Sequence, residues 1–322
     1  MSKVTIRVFS RIHISLLDLA NDGYRSNGGI GFFINSPFIE VKIIPFSRNI
    51  IFDTRQSKLP LDNLINWLDS FLIEANVSGR YKINISGFTE SHKGFGVSTA
   101  VRMAVVEGIA LLSGKTLSNE DIIKYSHRGG TSGVGVHGYF SGGLVFDLGH
   151  DSSRKLQMPS RCLESASHFP LLLKNLAMPN WRVGILIPKN IAAKTHEEEK
   201  RFFEQNCPLA KESVYETTYH ALFGVLASVE TEDFEAFCSA INEIQNQPWK
   251  RAERYLYPEL LKFELALKES GAKAIGMSSL GPSLYFFAED LESVINCFNQ
   301  SGLEAEVLFT SVNNSGRVVE HV

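Results

Sequence analysis

No stretch of this 322-residue chain is long and apolar enough to span a bilayer, and its first ten residues lack the basic-then-apolar form of a secretory signal. Lysine and arginine form no long run and the formal net charge is −3, which argues against a dedicated nucleic-acid binder. Cysteine is scarce. Cys162, Cys207, Cys238 and Cys297 lie far apart with no C-x-x-C pair, so neither a zinc site nor a disulfide frame is expected. Free thiols of this kind fit a reducing cytoplasm. Internal repeats and low-complexity tracts are absent as well. The remainder, 44% apolar and 21% charged, has the composition of an ordinary globular protein with room for two moderate domains.

The informative stretch is His92-Lys93-Gly94-Phe95-Gly96-Val97-Ser98-Thr99-Ala100. It follows an alternating run at 81–86, with Tyr81, Ile83 and Ile85 on one strand face. It precedes a helical stripe of Val101, Ala104, Val105, Ile109 and Leu112. A glycine-bearing loop that enters a helix brings backbone N–H groups close to a ligand, and the helix start adds unpaired donors and partial positive charge. The expected ligand is an anion, phosphate or diphosphate; on spacing alone, a turn serving tight helix–strand packing reads equally well.

Val4, Ile6 and Val8 predict an opening strand, continued by 11–19 with Arg11, His13 and Ser15 on one face and Ile12, Ile14 and Leu16 on the other. The cluster Gly28-Gly29-Ile30-Gly31, after Arg25, predicts a turn or a close backbone approach. A strand at 37–44 and a helix at 60–75 follow. Ser118 with Asp121 has capping-box spacing and opens a short helix ending near Arg128. Thr131-Ser132-Gly133-Val134-Gly135-Val136 comes next, then Ser141-Gly142-Gly143 leading a strand at 144–147. Glycine clusters recurring beside polar side chains before residue 150 point to one shared site.

Composition turns polar and irregular at 151–167, which places a domain boundary there, giving 1–165 and 166–322. Beyond it a strand is expected at 181–188, and the charge run at 196–201 reads as a solvated helix face. Residues 211–245 read as two helices broken near 231–233, with Phe223, Leu226, Phe234, Phe237 and Ile241 as core. A glycine-bearing segment at 276–283 precedes a strand at 284–288, and a helix at 291–299 and a strand at 305–309 close the chain. The second half is thus a small α+β layer.

Gly94-Phe95-Gly96-Val97-Ser98-Thr99-Ala100 resembles the second motif of the GHMP superfamily, and 276–283 resembles its third. Thr131 to Gly135 with Gly142-Gly143 is similar to the segment that supplies the catalytic aspartate of its kinases. The resemblance implies an α+β two-domain GHMP fold: a phosphate-binding N-terminal domain like ribosomal protein S5 domain 2, and a ferredoxin-like C-terminal domain. The kinase aspartate would fall at Gly135, which neither holds charge nor takes a proton, and Val97 stands where kinases usually carry serine. Together these argue against phosphoryl transfer from ATP to an alcohol.

Along most of its length the chain is similar to a non-kinase branch, the β-ribofuranosylaminobenzene 5′-phosphate synthase family. The matching stretches are Arg11-Ile12-His13 with Asp18-Leu19, Gly28 to Gly31, His92 to Thr99, Arg128 through Gly135, Gly142-Gly143 with Asp147-Leu148-Gly149-His150, Pro179-Asn180-Trp181 and Ser278 to Pro282. Ala100 replaces a glutamine expected in that family, and Ser26-Asn27 an aromatic. The resemblance implies condensation of phosphoribosyl diphosphate with 4-aminobenzoate, releasing carbon dioxide and diphosphate, in tetrahydromethanopterin biosynthesis.

On that reading Gly94, Gly96, Ser98 and Thr99, with Gly28, Gly29, Ser132 and Gly133, suit the anionic groups of the donor. Ser278, Ser279 and Gly281 would close the site from the second domain. Lys93 and Arg128 are candidates for the diphosphate charge, and Arg11 or Arg25 for a two-point fork on the carboxylate. His13, His92 and His150 are candidate proton handlers, and Asp18 and Asp147 candidate Mg²⁺ ligands. Each also has a structural reading, as a cap, a turn or an ion-pair partner. No organic cofactor is required. The partners are small molecules, with no nucleic acid or membrane, and a homodimer is expected of the superfamily. The rival readings are an ATP-dependent small-molecule kinase of the same fold and a non-catalytic paralogue that keeps the sugar-phosphate cradle.

Overall fold

Alternating apolar residues build two long strands, β1 (Val4–Asp18) and β2 (Arg25–Pro45), paired antiparallel along most of their length. The glycine cluster lies inside β2 and serves close approach: a Cβ on Gly31 would stand 2.3 Å from the Ile12 carbonyl oxygen. The computed structural model describes residues 2–55, 59–87, 93–151, 157–159 and 169–322, so His92 and Cys162 lie outside the described residues.

The strands that follow are β3 (Ile50–Asp53), β4 (Tyr81–Gly87), β5 (Leu144–Asp147), β6 (His150–Asp151), β7 (Leu172–Leu176), β8 (Arg182–Pro188), β9 (Ala274–Met277), β10 (Leu284–Phe287), β11 (Ala305–Ser311) and β12 (Val318–His321). One sheet runs β12-β1-β2-β4-β3, with β5 and β6 on the other stretch of β2 and β7 on β5. The second runs β11-β8-β10-β9, antiparallel throughout, the strand order of a ferredoxin-like layer. The expected division after residue 165 does not separate the sheets: β7 and β12, both from beyond it, pair into the first one.

Helix Val97–Leu112 is the central pillar, with Val101, Ala104, Val105 and Ile109 wholly buried. Gly108 lets it rest on the first sheet, where a Cβ would meet Ile43 Cδ1 at 2.5 Å. The same helix buries Glu107, whose carboxylate accepts from the Tyr139 hydroxyl and from Arg317 Nη2, each at 2.6 Å. The capping box at Ser118 is present: its hydroxyl accepts from Asp121 N–H at 3.1 Å, and Asp121 accepts in return from Ser118 N–H at 3.2 Å.

One core expectation fails. Helix Lys211–Tyr219 runs into a π-helical stretch, His220–Leu226, whose wider turn rotates Phe223 outward to 65% exposure. Its ring stacks there on Tyr219, 5.3 Å between centroids, while Phe237 and Ile241 on the next helix are fully buried. Among the described residues no helix is long and apolar enough to cross a membrane.

Candidate active site

A bulge in β1 starts the site. The register with β2 shifts between His13 and Ser15, so Leu16, expected on the opposite face, turns to the same side as Arg11 and His13. All three line one cavity of about 190 Å³. Its polar wall is the glycine loop with the start of helix Val97–Leu112: Gly94, Gly96, Ser98 and Thr99, joined by Arg128 and Ser132.

Loops from the two halves meet at this wall. Gly94, at φ +93°, lets the Ser278 carbonyl come so close that a Cβ would stand 2.1 Å from its oxygen. Ser278 Oγ donates to Gly94 O at 2.8 Å and accepts from His13 N–H at 3.1 Å, while Ser279 N–H donates to His13 O at 3.3 Å. Ser278 is buried behind the wall; Ser279 and Gly281 reach the cavity. Gly96 stands at the N-cap and brings no side-chain cap, and Ser98 Oγ accepts from Arg128 Nη2. Thr99 N–H bonds back to the Gly96 carbonyl at 3.1 Å, and the helix start faces the cavity with its partial positive charge.

Arg11 is the charge at the centre. Its Nε and Nη1 are shielded from solvent and make no hydrogen bond among the described residues. Burial pulls its pKa down to about 10, and the Glu253 charge opposes that shift. Leaving these two nitrogens desolvated without partners is costly, which gives this position the chemistry to receive an anion. Beside it His13 is held neutral: burial, then the Arg11 and Lys250 charges, push its pKa well below the usual histidine value. His13 Nε2 lies 3.2 Å from Ser132 Oγ, and that hydroxyl donates to Asp147 Oδ2 at 3.1 Å. Asp147 is wholly buried and accepts from Gly149 N–H at 2.9 Å; burial raises its pKa to about 7 despite these bonds.

Several expected residues sit elsewhere. Arg25 donates to the Leu148 carbonyl at 2.7 Å and the Gly149 carbonyl at 2.9 Å, so its fork is committed to the backbone, and of the two arginines Arg11 is the one that lines the cavity. Lys93 Nζ donates to the Ile191 carbonyl at 3.0 Å and does not line the cavity. His150 is fully buried with Nε2 2.9 Å from the Gly129 carbonyl, a structural histidine. Gly28 and Gly29 make room behind the site: a Cβ on Gly29 would stand 2.6 Å from Ser132 Oγ and 2.9 Å from His13 Nε2. Gly133 precedes helix Val134–Ser141 and packs against His137 and Pro170.

The carboxylates expected to hold Mg²⁺ lie off the cavity wall: Asp18 accepts from Ala20 N–H at 3.2 Å in the turn after β1, Asp147 is enclosed behind Ser132, and neither lines the cavity. Among the described residues no group of three or more His, Cys, Asp or Glu side chains is gathered, while Mg²⁺ held with substrate phosphates takes only one or two carboxylates. At Gly135 an added Cβ would meet Thr99 Cγ2 at 3.5 Å, and among the described residues no carboxylate lies within 4 Å of it.

Sequence reasoning passed over the rest of the wall. Helix His196–Asn206, read as a solvated face, presents Glu199 and Phe203 to the cavity, and helix Pro248–Tyr255 presents Trp249 and Glu253. Lys250, wholly buried, donates to Glu253 Oε2 and to the Met277 carbonyl at 2.8 Å. The available signal was Trp249 four residues before Glu253 on one helix face, with Lys250 three before it.

No family model matches the chain. The protein named β-ribofuranosylphenol 5′-phosphate synthase in Archaeoglobus fulgidus is 30% identical over 98% of this chain and 99% of its own length. The protein of the same name in Methanocaldococcus jannaschii is 26% identical, covering 98% and 99%. Among solved structures, homoserine kinase from Cytophaga hutchinsonii superposes with a TM-score of 0.70 at 16% identity over 99% of this chain and 97% of that one. Mevalonate diphosphate decarboxylase from Staphylococcus aureus gives 0.69 at 12% identity, covering 99% and 98%. At these identities the structures bear on fold alone, and the fold is the two-domain GHMP fold.

Proposed function

The chain belongs to the β-ribofuranosylphenol 5′-phosphate synthase family, and we propose that it joins phosphoribosyl diphosphate to a para-substituted benzoate with loss of carbon dioxide and diphosphate. The relatives' name carries a phenol, whereas the sequence reading took 4-aminobenzoate; the two acceptors differ only in a para group that in both cases pushes electron density into the ring. The carboxylate–ring bond and the C1–diphosphate bond break, and the C1–ring bond forms. Charge and atoms balance with no net proton, and no redox partner is needed.

The observation that carries this reading is Arg11, desolvated and, among the described residues, without a hydrogen-bond partner for Nε or Nη1, against a glycine loop whose helix has Gly96 at its N-cap. That arrangement suits an acceptor carboxylate held beside a phosphorylated donor. Arg128 adds a second cation at Ser98 for charge that develops as diphosphate leaves. His13, kept neutral, adds an uncharged polar group there. Holding ring and C1 together supplies much of the acceleration through proximity. Glycine at position 135, with no carboxylate within 4 Å of its Cβ position among the described residues, favours this over phosphoryl transfer.

The test is product analysis with carboxyl-labelled 4-hydroxybenzoate and 4-aminobenzoate in the presence of phosphoribosyl diphosphate. Labelled carbon dioxide and a C-riboside phosphate are expected. ADP formation dependent on an alcohol, with no label released, would overturn the proposal in favour of a kinase.

A further inference from the structure

One wall of the cavity is apolar and aromatic. Trp249 packs with its ring centroid 5.0 Å from both Phe202 and Phe203, in a buried cluster that also holds Leu16 and Leu280. Trp249 and Phe203 themselves face the cavity. Into this wall the helix Pro248–Tyr255 places Glu253, one turn beyond Trp249 and 2% exposed. Lys250 engages Oε2, the Trp249 indole N–H is turned to the same carboxylate, and the remaining lone pairs can take a further donor.

A buried ion pair is a poor way to stabilise a fold, since an apolar pair of similar volume is often as stable or more so. The proposed reaction gives Lys250 no step of its own; besides Glu253 it holds the Met277 carbonyl, just ahead of Ser278. What the pair does provide is a fixed acceptor at the edge of an aromatic floor, close enough to Arg11 for their charges to interact. A flat ring bearing an anion at one end and a hydrogen-bond donor at the other matches that pattern.

Resting on the synthase reading for the identity of the ligand, we propose that Trp249 and Phe203 form the floor for the aromatic acceptor and that Glu253, oriented by Lys250, accepts a hydrogen bond from its para group. The acceptor is thereby selected for a para hydroxyl or amino group. The same bond supports the ring as positive charge spreads to the para position in the attack, and the proton stays on the para group throughout.

The wild-type protein is tested first, with no variant needed: kcat/KM and equilibrium binding by calorimetry are compared for 4-hydroxybenzoate, 4-aminobenzoate, 4-methoxybenzoate and benzoate. Acids with a para donor should be favoured by about a hundredfold over the methoxy and unsubstituted acids, because a site built to bond a donor rejects analogues lacking it. The double variant Lys250→Met with Glu253→Leu keeps volume and removes both charges. It should fold, bind phosphoribosyl diphosphate within about threefold of wild type, and lose the preference for a para donor. Equal use of the methoxy acid by the wild type overturns the proposal, as does an unchanged preference in a folded double variant. Selective binding that Glu253 controls, without riboside formation, upholds the subsite while the synthase reading falls.

Discussion

His13 Nε2 stands 3.2 Å from Ser132 Oγ, and through that hydroxyl the cavity is coupled to a carboxylate it never touches. Because Ser132 donates to Asp147 and also accepts from Val134 N–H at 3.2 Å, the hydroxyl is fixed and the imidazole is fixed with it. Ser132→Ala should therefore lower kcat by about tenfold with a smaller change in either KM, and lower stability by about 1 kcal/mol, the usual size of one lost hydrogen bond. Steady-state kinetics and chemical denaturation measure the two effects. A KM-only change would show that Ser132 binds substrate directly.

Asp147 gives a pH signature. Its pKa is about 7 folded against 3.8 for an unperturbed aspartate, so the folded protein keeps a proton that the unfolded chain has lost between pH 4 and 7. Its contribution is thus most favourable in acid, falls as pH rises through this window, and is constant above it. The shift corresponds to about 4 kcal/mol at most. Asp147→Asn should flatten this slope, so that the Tm difference between variant and wild type grows in the variant's favour from pH 5 to pH 8. Turnover of the wild type should bend near pH 7, and the variant should lack the bend.

Arg11→Met should separate stability from function. Removing a buried cation whose Nε and Nη1 lack partners raises Tm by a few degrees, while turnover falls by about a hundredfold or more. Scanning calorimetry with and without 4-hydroxybenzoate tests the anion site directly: the wild type should gain thermal stability from the anion and the variant should gain none. Equal gains would place the anion away from Arg11.

Two glycines should respond differently to alanine. At Gly94 the added methyl meets a backbone carbonyl from the other half at 2.1 Å, in a backbone conformation at φ +93° that alanine resists. Gly94→Ala should cost about 3 kcal/mol or more and loosen the contact between the halves. At Gly29 the clash is with Ser132 Oγ and His13 Nε2, so Gly29→Ala should leave a folded protein with impaired turnover. Denaturation midpoints and kinetics on both variants check the distinction.

The loops were legible because their chemistry is local. Glycine beside hydroxyls at a strand-to-helix junction permits a cradle as well as a tight turn, and Gly94, Gly96, Ser98, Thr99, Ser132, Ser279 and Gly281 do meet in one cavity. Choosing Arg11 over Arg25 was beyond the sequence, because the difference is which of them finds backbone carbonyls to satisfy it. Lys250 and Glu253 were invisible for a related reason. At i and i+3 on a helix such a pair looks like any surface ion pair, and only the packing of Phe203, Trp249 and Leu280 around it makes it buried. Phe223 was misplaced because a π-helical stretch changes the period on which a core assignment rests.

The pairing of β12 with β1 sets Ile6 opposite Val319, nearly the whole chain apart in sequence. During synthesis β1 thus has to wait, one flank bare, until residues 318–321 have left the ribosome. A nascent chain of this protein needs shielding along that flank for longer than its own early elements take to form, and a ribosome stalled late would release a half-finished sheet with an adhesive border.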